Sequence, residues 1–188
     1  DCLLSRGLGD VYKRQILGSL LILSACSNND EKDKDTSDQK SESHMKHNDE
    51  SKVPENMKST NEGEFKAGDK VTITAGHMPG MKGAEATVKG AYKTYAYVVS
   101  YKPTNGNEKV NNHKWVVNEE IKDAPKDGFS KGDTVKLEAS HMSGMKGATV
   151  NIDNVKKTTV YVVDYKSKDN GKIIKNHKWM TGNELEAR

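Results

Sequence analysis

Histidine and methionine occur side by side in this chain in a way that core packing alone does not require. All six histidines fall in two settings: a polar segment that contains His44 and His47, and four matched positions further along the chain. A methionine directly follows a histidine at Met45, Met78 and Met142. Thioether sulfur and imidazole nitrogen suit soft or borderline metal ions, and thioethers are poor ligands for hard cations such as calcium. These residue types therefore predict metal binding, with copper(I) as the natural ion.

The sequence His77-Met78-Pro79-Gly80-Met81 places such donors on a predicted turn. Proline and glycine favour a tight turn, which could fold Met81 back toward His77. The second copy, with ligand candidates His141, Met142 and Met145, has serine in place of proline, and this difference could loosen its site. In the alternative interpretation, the glycines serve only the conformation of the turn and Met81 fills the core.

Two more histidines, His113 and His177, lie in matched Asn-His-Lys-Trp sequences. On a strand, His113 and Trp115 would share one face because side chains alternate. His113 is then either a metal ligand or a partly buried neighbour of Trp115, and the sequence leaves both open. The segment with His44, Met45 and His47 is either an accessory metal site or a chance run.

An internal repeat must position these residues. Residues 65–121 and 129–185 align without gaps at an offset of 64, with 24 identities in 57 pairs. A repeat of this length predicts two similar structural units, here residues 65–122 and 129–186.

Each repeat is expected to form strands. Val71, Ile73 and Ala75 alternate with polar residues, as a half-buried strand requires. Further Val- and Tyr-rich stretches follow, and residues 103–106, Pro-Thr-Asn-Gly, indicate a hairpin. The predicted fold class is all-β, with two tandem small SH3/KOW-like β-barrel domains after a disordered tether.

The segment before the repeats indicates a lipoprotein. Residues 1–15 resemble translated sequencing adapter, and residues 16–25 read as a truncated signal peptide that ends in Leu-Ser-Ala before Cys26. That ending matches a bacterial lipobox, in which Cys26 receives the lipid. Residues 26–64 are almost entirely polar and predict a disordered tether. The expected location is extracytoplasmic, anchored to the membrane rather than spanning it.

Composition excludes several function classes. The formal net charge of +3 argues against a dedicated nucleic-acid binder. No cysteine follows Cys26, so a disulfide, a thiolate metal site and a cysteine nucleophile are all excluded from the repeats. No familiar catalytic arrangement is recognisable either, so an enzyme is not expected.

The paired His-Met-x-Gly-Met-Lys-Gly-Ala and Asn-His-Lys-Trp elements behind a lipobox resemble the YdhK family of bacterial lipoproteins. Some relatives, called CopL, are copper-binding surface lipoproteins that accompany a copper-exporting ATPase. The resemblance implies a protein that binds copper(I) outside the membrane and sequesters it or hands it over, for copper tolerance. We expect a monomer. The implied ligands are His77, Met78, Met81 and His113 in the first repeat, and His141, Met142, Met145 and His177 in the second.

A binding module for cell-wall polysaccharide is the competing interpretation. Trp115, Trp179 and the tyrosines Tyr92, Tyr95, Tyr97 and Tyr101 would then stack on sugars from an SH3-like scaffold. This interpretation leaves the methionines unexplained.

Overall fold

A computed structural model describes residues 52–188 and contains only strands and two short 3-10 helices in that range. The strands are β1 (Lys70–Ile73), β2 (Glu85–Tyr101), β3 (Val110–Val117), β4 (Thr134–Lys136), β5 (Thr149–Lys166), β6 (Ile173–Thr181) and β7 (Leu185–Ala187). The 3-10 helices η1 (Asn118–Glu120) and η2 (Gly182–Glu184) each follow the third strand of a repeat. The all-β prediction is confirmed. No helix within residues 52–188 has the length and apolar character needed to cross a membrane.

All seven strands belong to one antiparallel sheet, organised around the two longest strands, β2 and β5. Its main path runs β4-β5-β2-β1-β7, with β3 paired to β2 and β6 paired to β5. The β2–β5 ladder includes the pair Thr94 and Thr158, which are equivalent residues because the repeats are offset by 64. An approximate two-fold axis therefore passes through this pair. The Val- and Tyr-rich stretches that follow the first strand of each repeat form one long strand, β2 or β5.

Each hydrophobic core is built from both repeats. The first core combines residues such as Val71 and Ile73 from repeat one with Val163 and Leu185 from repeat two. The second combines the other half of each repeat, with Val99, Val116 and Ile121 from repeat one and Leu137, Val150 and Ile152 from repeat two. The predicted bounds 65–122 and 129–186 therefore mark the sequence repeats, and packing crosses them. Neither repeat encloses a core of its own.

A third cluster, the Trp face, lies on the other side of the long strands. Its buried members are Ala96, Val98, Trp115, Val117, Val160, Val162 and Trp179. On β2, Ala96 and Val98 alternate with Tyr97 and Val99 of the second core, as side chains on one strand must.

The end of the predicted tether packs on the Trp face. Val53 and Met57 contact this cluster, and the Thr60 amide donates to the Ala91 carbonyl over 2.9 Å. The prediction of a tether that is disordered up to residue 64 was therefore wrong for residues 52–64. Val53 and Met57 bury apolar surface against the Trp face, and the polar composition of this stretch does not predict that contact.

Candidate functional site

The two histidine-methionine turns, residues 77–84 and 141–148, adopt the conformation that their glycines permit. Gly80 and Gly144 both have φ of +78°, in the left-handed region that favours glycine. Each turn docks on the β-hairpin of the other repeat: the Lys168 amide donates to Gly80 over 2.9 Å, and the Thr104 amide donates to Gly144 over the same distance. At both candidate sites, the hairpin of one repeat therefore holds the turn of the other repeat in place.

The second methionine of each turn is a core residue. Met81 and Met145 have no exposed surface and belong to the first and second cores respectively. The alternative in which Met81 fills the core therefore accounts for its position. Met78 and Met142 are different, because both remain partly exposed at the edge of the turn.

A carboxylate from repeat two holds the histidine of the first turn. His77 Nε2 lies 2.9 Å from Glu184 Oε1, and Glu184 Oε2 accepts hydrogen bonds from Trp115 Nε1 at 2.7 Å and from Thr181. His77 Nδ1 is buried and has no hydrogen-bond partner among the described residues. One ring nitrogen is thus fixed by a carboxylate, while the other is left available.

The second turn has the same arrangement with the repeats reversed. His141 Nε2 lies 2.6 Å from Glu120 Oε1, and Trp179 Nε1 donates to Glu120 Oε2 over 3.0 Å. The Val117 amide also donates to Glu120 Oε2 over 3.2 Å. Sequence reasoning missed both glutamates, although they are identical residues at matched repeat positions.

Both glutamates stay ionised despite their burial. Burial alone would raise the pKa of Glu184, but hydrogen bonds from His77, the Thr181 amide and Trp115 outweigh it and hold the pKa at about 2. Burial opposes ionisation of Glu120 too, and the interaction with His141 overcomes it, so that the pKa of Glu120 is also lowered. An ionised acceptor beside Nε2 favours a proton on that nitrogen. When the ring is neutral, Nδ1 then carries the lone pair.

Glu184 should contribute to acid stability. Its pKa falls from 4.5 to about 2 on folding, so its contribution is present above pH 4.5 and is lost as the pH falls from 4.5 toward 2. The contribution is about 3–4 kcal/mol, at about 1.4 kcal/mol per pKa unit. We expect the difference in unfolding free energy between wild type and Glu184→Gln to shrink over this range in urea titrations. Exposed Glu186→Gln is the control, and a pH-independent difference for Glu184→Gln would contradict the assignment.

The strand histidine His113 lies with the turn of the other repeat rather than with its own. The ring centres of His113 and His141 are 6.1 Å apart, and Tyr101 has its ring centre 6.2 Å from that of His113. The Tyr101 hydroxyl also lies 4.0 Å from Met142 Sδ. The first-repeat set that includes His113 with His77 is therefore corrected: His113 lies with the second turn, because β3 and that turn border the same core.

In the equivalent region His177 lies beside Tyr165, with ring centres 5.6 Å apart, and Met78 packs against the core that contains Tyr165. His177 is thus found with Tyr165, the counterpart of Tyr101. The predicted ligand set that grouped His177 with Met145 is therefore corrected. His177 lies beside Tyr165 of the first core, whereas Met145 belongs to the second core.

Trp115 does not share a face with His113, contrary to the prediction. Trp115 belongs to the Trp face, whereas His113 contacts Tyr101 and His141 on the side of the second core. The ladder between β2 and β3 is irregular around His113, with register shifts on both sides of its pair with Val99, and strict alternation fails there.

The aromatic residues of the polysaccharide interpretation are largely buried. Trp115 is 3% exposed and Trp179 is fully buried, while Tyr97 and Tyr101 line the second core. The described residues therefore do not present them together as an open stacking surface.

Several predicted positions lie outside the described residues, namely Cys26, His44, Met45, His47 and the signal peptide. Within residues 52–188, no three His, Cys, Asp or Glu side chains converge to hold a metal ion. This absence concerns His, Cys, Asp and Glu only, and a site that includes the sulfur of Met78 or Met142 is a different case.

Comparison with known proteins identifies relatives over most of the chain. The family model described as "Protein of unknown function (DUF1541)" matches residues 67–118 and again residues 131–182. The protein described as "Uncharacterized protein YdhK" from Bacillus subtilis strain 168 is 52% identical over 177 residues, which cover 92% of this chain and 86% of that protein.

Solved structures of B. subtilis ydhK agree. A crystal structure at 2.00 Å resolution is 57% identical with a TM-score of 0.72, covering 73% of this chain and 94% of that one. A solution NMR structure of the ydhK C-terminal domain is 61% identical with a TM-score of 0.64, covering 66% of this chain and 94% of that one. The expected resemblance is confirmed, and the chain belongs to the DUF1541 family that includes YdhK, with the family domain present twice.

Proposed function

We propose that this protein binds copper(I) outside the cell membrane and sequesters it or hands it over, as a binding protein rather than an enzyme. The observation that carries the proposal is the His77 imidazole: its Nε2 is held by ionised Glu184, and its buried Nδ1 has no hydrogen-bond partner within residues 52–188. A histidine that binds a metal usually donates its other ring N–H to a carboxylate, because this hydrogen bond fixes the tautomer and raises the basicity of the binding nitrogen.

The neighbouring thioether determines which ion fits. Met78 directly follows His77 and is partly exposed at the edge of the turn, and Met142 has the same place beside His141. Imidazole with thioether favours copper(I) over hard cations. A thioether has no proton to lose when it binds a metal. Copper(I) binding would therefore depend less on pH than at a thiolate site. The proposed ligands are therefore His77 with Met78 and His141 with Met142, and the core residues Met81 and Met145 are left out.

The remaining parts of the proposal extend from the sequence. Cys26 would carry the lipid that holds a monomeric protein at the outer face of the membrane, and residues 27–51 would serve as the tether. A copper-exporting ATPase is the candidate partner, by resemblance to copper-binding relatives. His44, Met45 and His47 would be an accessory site that captures metal loosely.

We also propose that each core belongs to an SH3/KOW-like barrel shared between the repeats. For the first core, β7-β1-β2-β5-β6 are consecutive neighbours, and the single-turn helix η2 connects β6 to β7. The bridge between Ile121 and Leu137 gives the second core the equivalent of the β1–β7 pairing. This fold supports the turns and does not by itself imply a function.

Separate substitution of the partly exposed methionines and of the core methionines tests the ligand assignment. In residues 27–188, Met78→Leu with Met142→Leu should weaken copper(I) binding by at least the roughly 10–100-fold lost when a hydrogen-bond partner of a metal ligand is removed. The matched variant, Met81→Leu with Met145→Leu, should bind as wild type does. Anaerobic competition with a chromophoric copper(I) chelator measures both. Equal affinity in all three proteins, or no copper(I) binding by wild type, would refute the proposal.

A further inference from the structure

We infer that His113 of repeat one is a ligand in the copper(I) site on the second turn, with His141 and Met142 of repeat two as its partners. The inference rests on the proposed function and adds to it a specific set of three donors. In this site, 28 positions of chain separate the two histidines, and neither repeat could form it alone.

The separation of the two rings fits a shared ion. Imidazoles on opposite sides of one ion, each bound at about 2.0 Å, have ring centres about 6.2 Å apart. The ring centres of His113 and His141 are 6.1 Å apart, with the ring planes inclined by 41°. The separation of the two ring centres is therefore compatible with one ion bound by both imidazoles.

Glu120 determines which nitrogen of His141 can take part. His141 Nε2 is only 2.6 Å from Glu120 Oε1, so this nitrogen is engaged away from the metal. Nδ1 is then the ring nitrogen of His141 that could bind the ion. Glu120 is 6% exposed, and its carboxylate fixes the orientation of the His141 ring from the side away from the proposed ion.

Tyr101 brings the thioether to the same place. Its ring meets His113 edge-on at 6.2 Å, and its hydroxyl lies 4.0 Å from Met142 Sδ. One tyrosine thus contacts both the strand histidine and the turn methionine. His113 and Met142 are partly exposed, whereas His141 is buried, so an ion would enter from the side of the thioether.

Pairs of histidine substitutions distinguish ligands shared between repeats from ligands within one repeat. The background is residues 27–188 with His44, Met45 and His47 changed to Ala, and anaerobic chelator competition counts tightly bound copper(I). If His113 and His141 share a site, His113→Asn with His141→Asn leaves one of two equivalents, as His141→Asn alone does. His77→Asn with His113→Asn then removes both equivalents.

The reverse pattern would overturn the inference: one equivalent left by the His77/His113 pair and none by the His113/His141 pair. Unchanged binding by His113→Asn alone would also overturn it, while the methionine variants could still uphold the proposed function. Absence of copper(I) binding by wild type would end both.

Because His141 is buried, its variant could fail to fold, and near-ultraviolet circular dichroism checks for this. If the variant does not fold, the wild-type protein is titrated with silver(I) instead, and the histidine side chains are followed by NMR. His113 and His141 signals should shift together with the same equivalent of silver(I). Signals of His113 that move with those of His77 instead would contradict the shared site.

Discussion

Glu120→Ala is expected to lower the free energy of unfolding by about 3–5 kcal/mol, the usual cost of removing one partner from a buried charged network. The side chain is 6% exposed and accepts hydrogen bonds from His141, Trp179 and the Val117 amide. Truncation leaves these donors buried without their acceptor, and each unsatisfied group carries its own desolvation cost.

Urea denaturation followed by tryptophan fluorescence measures this loss. Glu138→Ala is the matched control, because Glu138 is exposed and its amide donates to the Glu120 carbonyl over 2.8 Å, next to the same helix. The control should stay within about 0.5 kcal/mol of wild type. An equally small change for Glu120→Ala would show that the network between the repeats does not support the fold as described.

The second large effect is expected at Met145, which is fully buried in the second core. Met145→Ala should cost about 2–5 kcal/mol, because it removes apolar contacts and leaves a cavity. Met145→Leu conserves most of the volume and should cost less than about 1.5 kcal/mol. The same denaturation experiment measures both variants. A mild Met145→Ala would place this side chain outside the core and reopen its assignment as a ligand.

The sequence predicts the local features of this fold well. Alternation identifies Val71 and Ile73 as core residues of β1, and both are fully buried. The hairpin at residues 103–106 separates β2 from β3, as its turn residues indicate. These features depend on short-range periodicity and turn chemistry, which one repeat contains in full.

The partners of each element could not be predicted in the same way. A repeat at an offset of 64 looks the same whether a strand packs within its own repeat or across to the other. His113 therefore could be assigned to the turn of His77 or to that of His141, and only the tertiary fold separates these cases. The long β2–β5 ladder, centred on Thr94 and Thr158, is what brings the halves together.

The two glutamates were missed for a different reason. A Glu near the end of a polar repeat ordinarily lies at the surface, because an isolated buried charge is costly. Glu120 and Glu184 are buried only because a tryptophan and a histidine converge on each of them from two elements. The signal in the sequence was their identity at matched positions, together with the nearby Asn-His-Lys-Trp elements.

Each proposed site depends on residues of both repeats. Each turn rests on the hairpin and the glutamate of the other repeat, so damage to one repeat should disturb the site carried by the other. A substitution in the hairpin at residues 103–106 would thus act on His141 and Met142 rather than on His77 and Met78.

X-ray absorption at the copper edge of the copper(I)-loaded protein, residues 27–188, tests the central claim most directly. The proposed sites predict both nitrogen and sulfur neighbours around copper. The sulfur contribution should disappear in Met78→Leu with Met142→Leu and persist in Met81→Leu with Met145→Leu. Copper surrounded only by nitrogen and oxygen in the wild-type protein, or sulfur that survives loss of Met78 and Met142, would contradict the account.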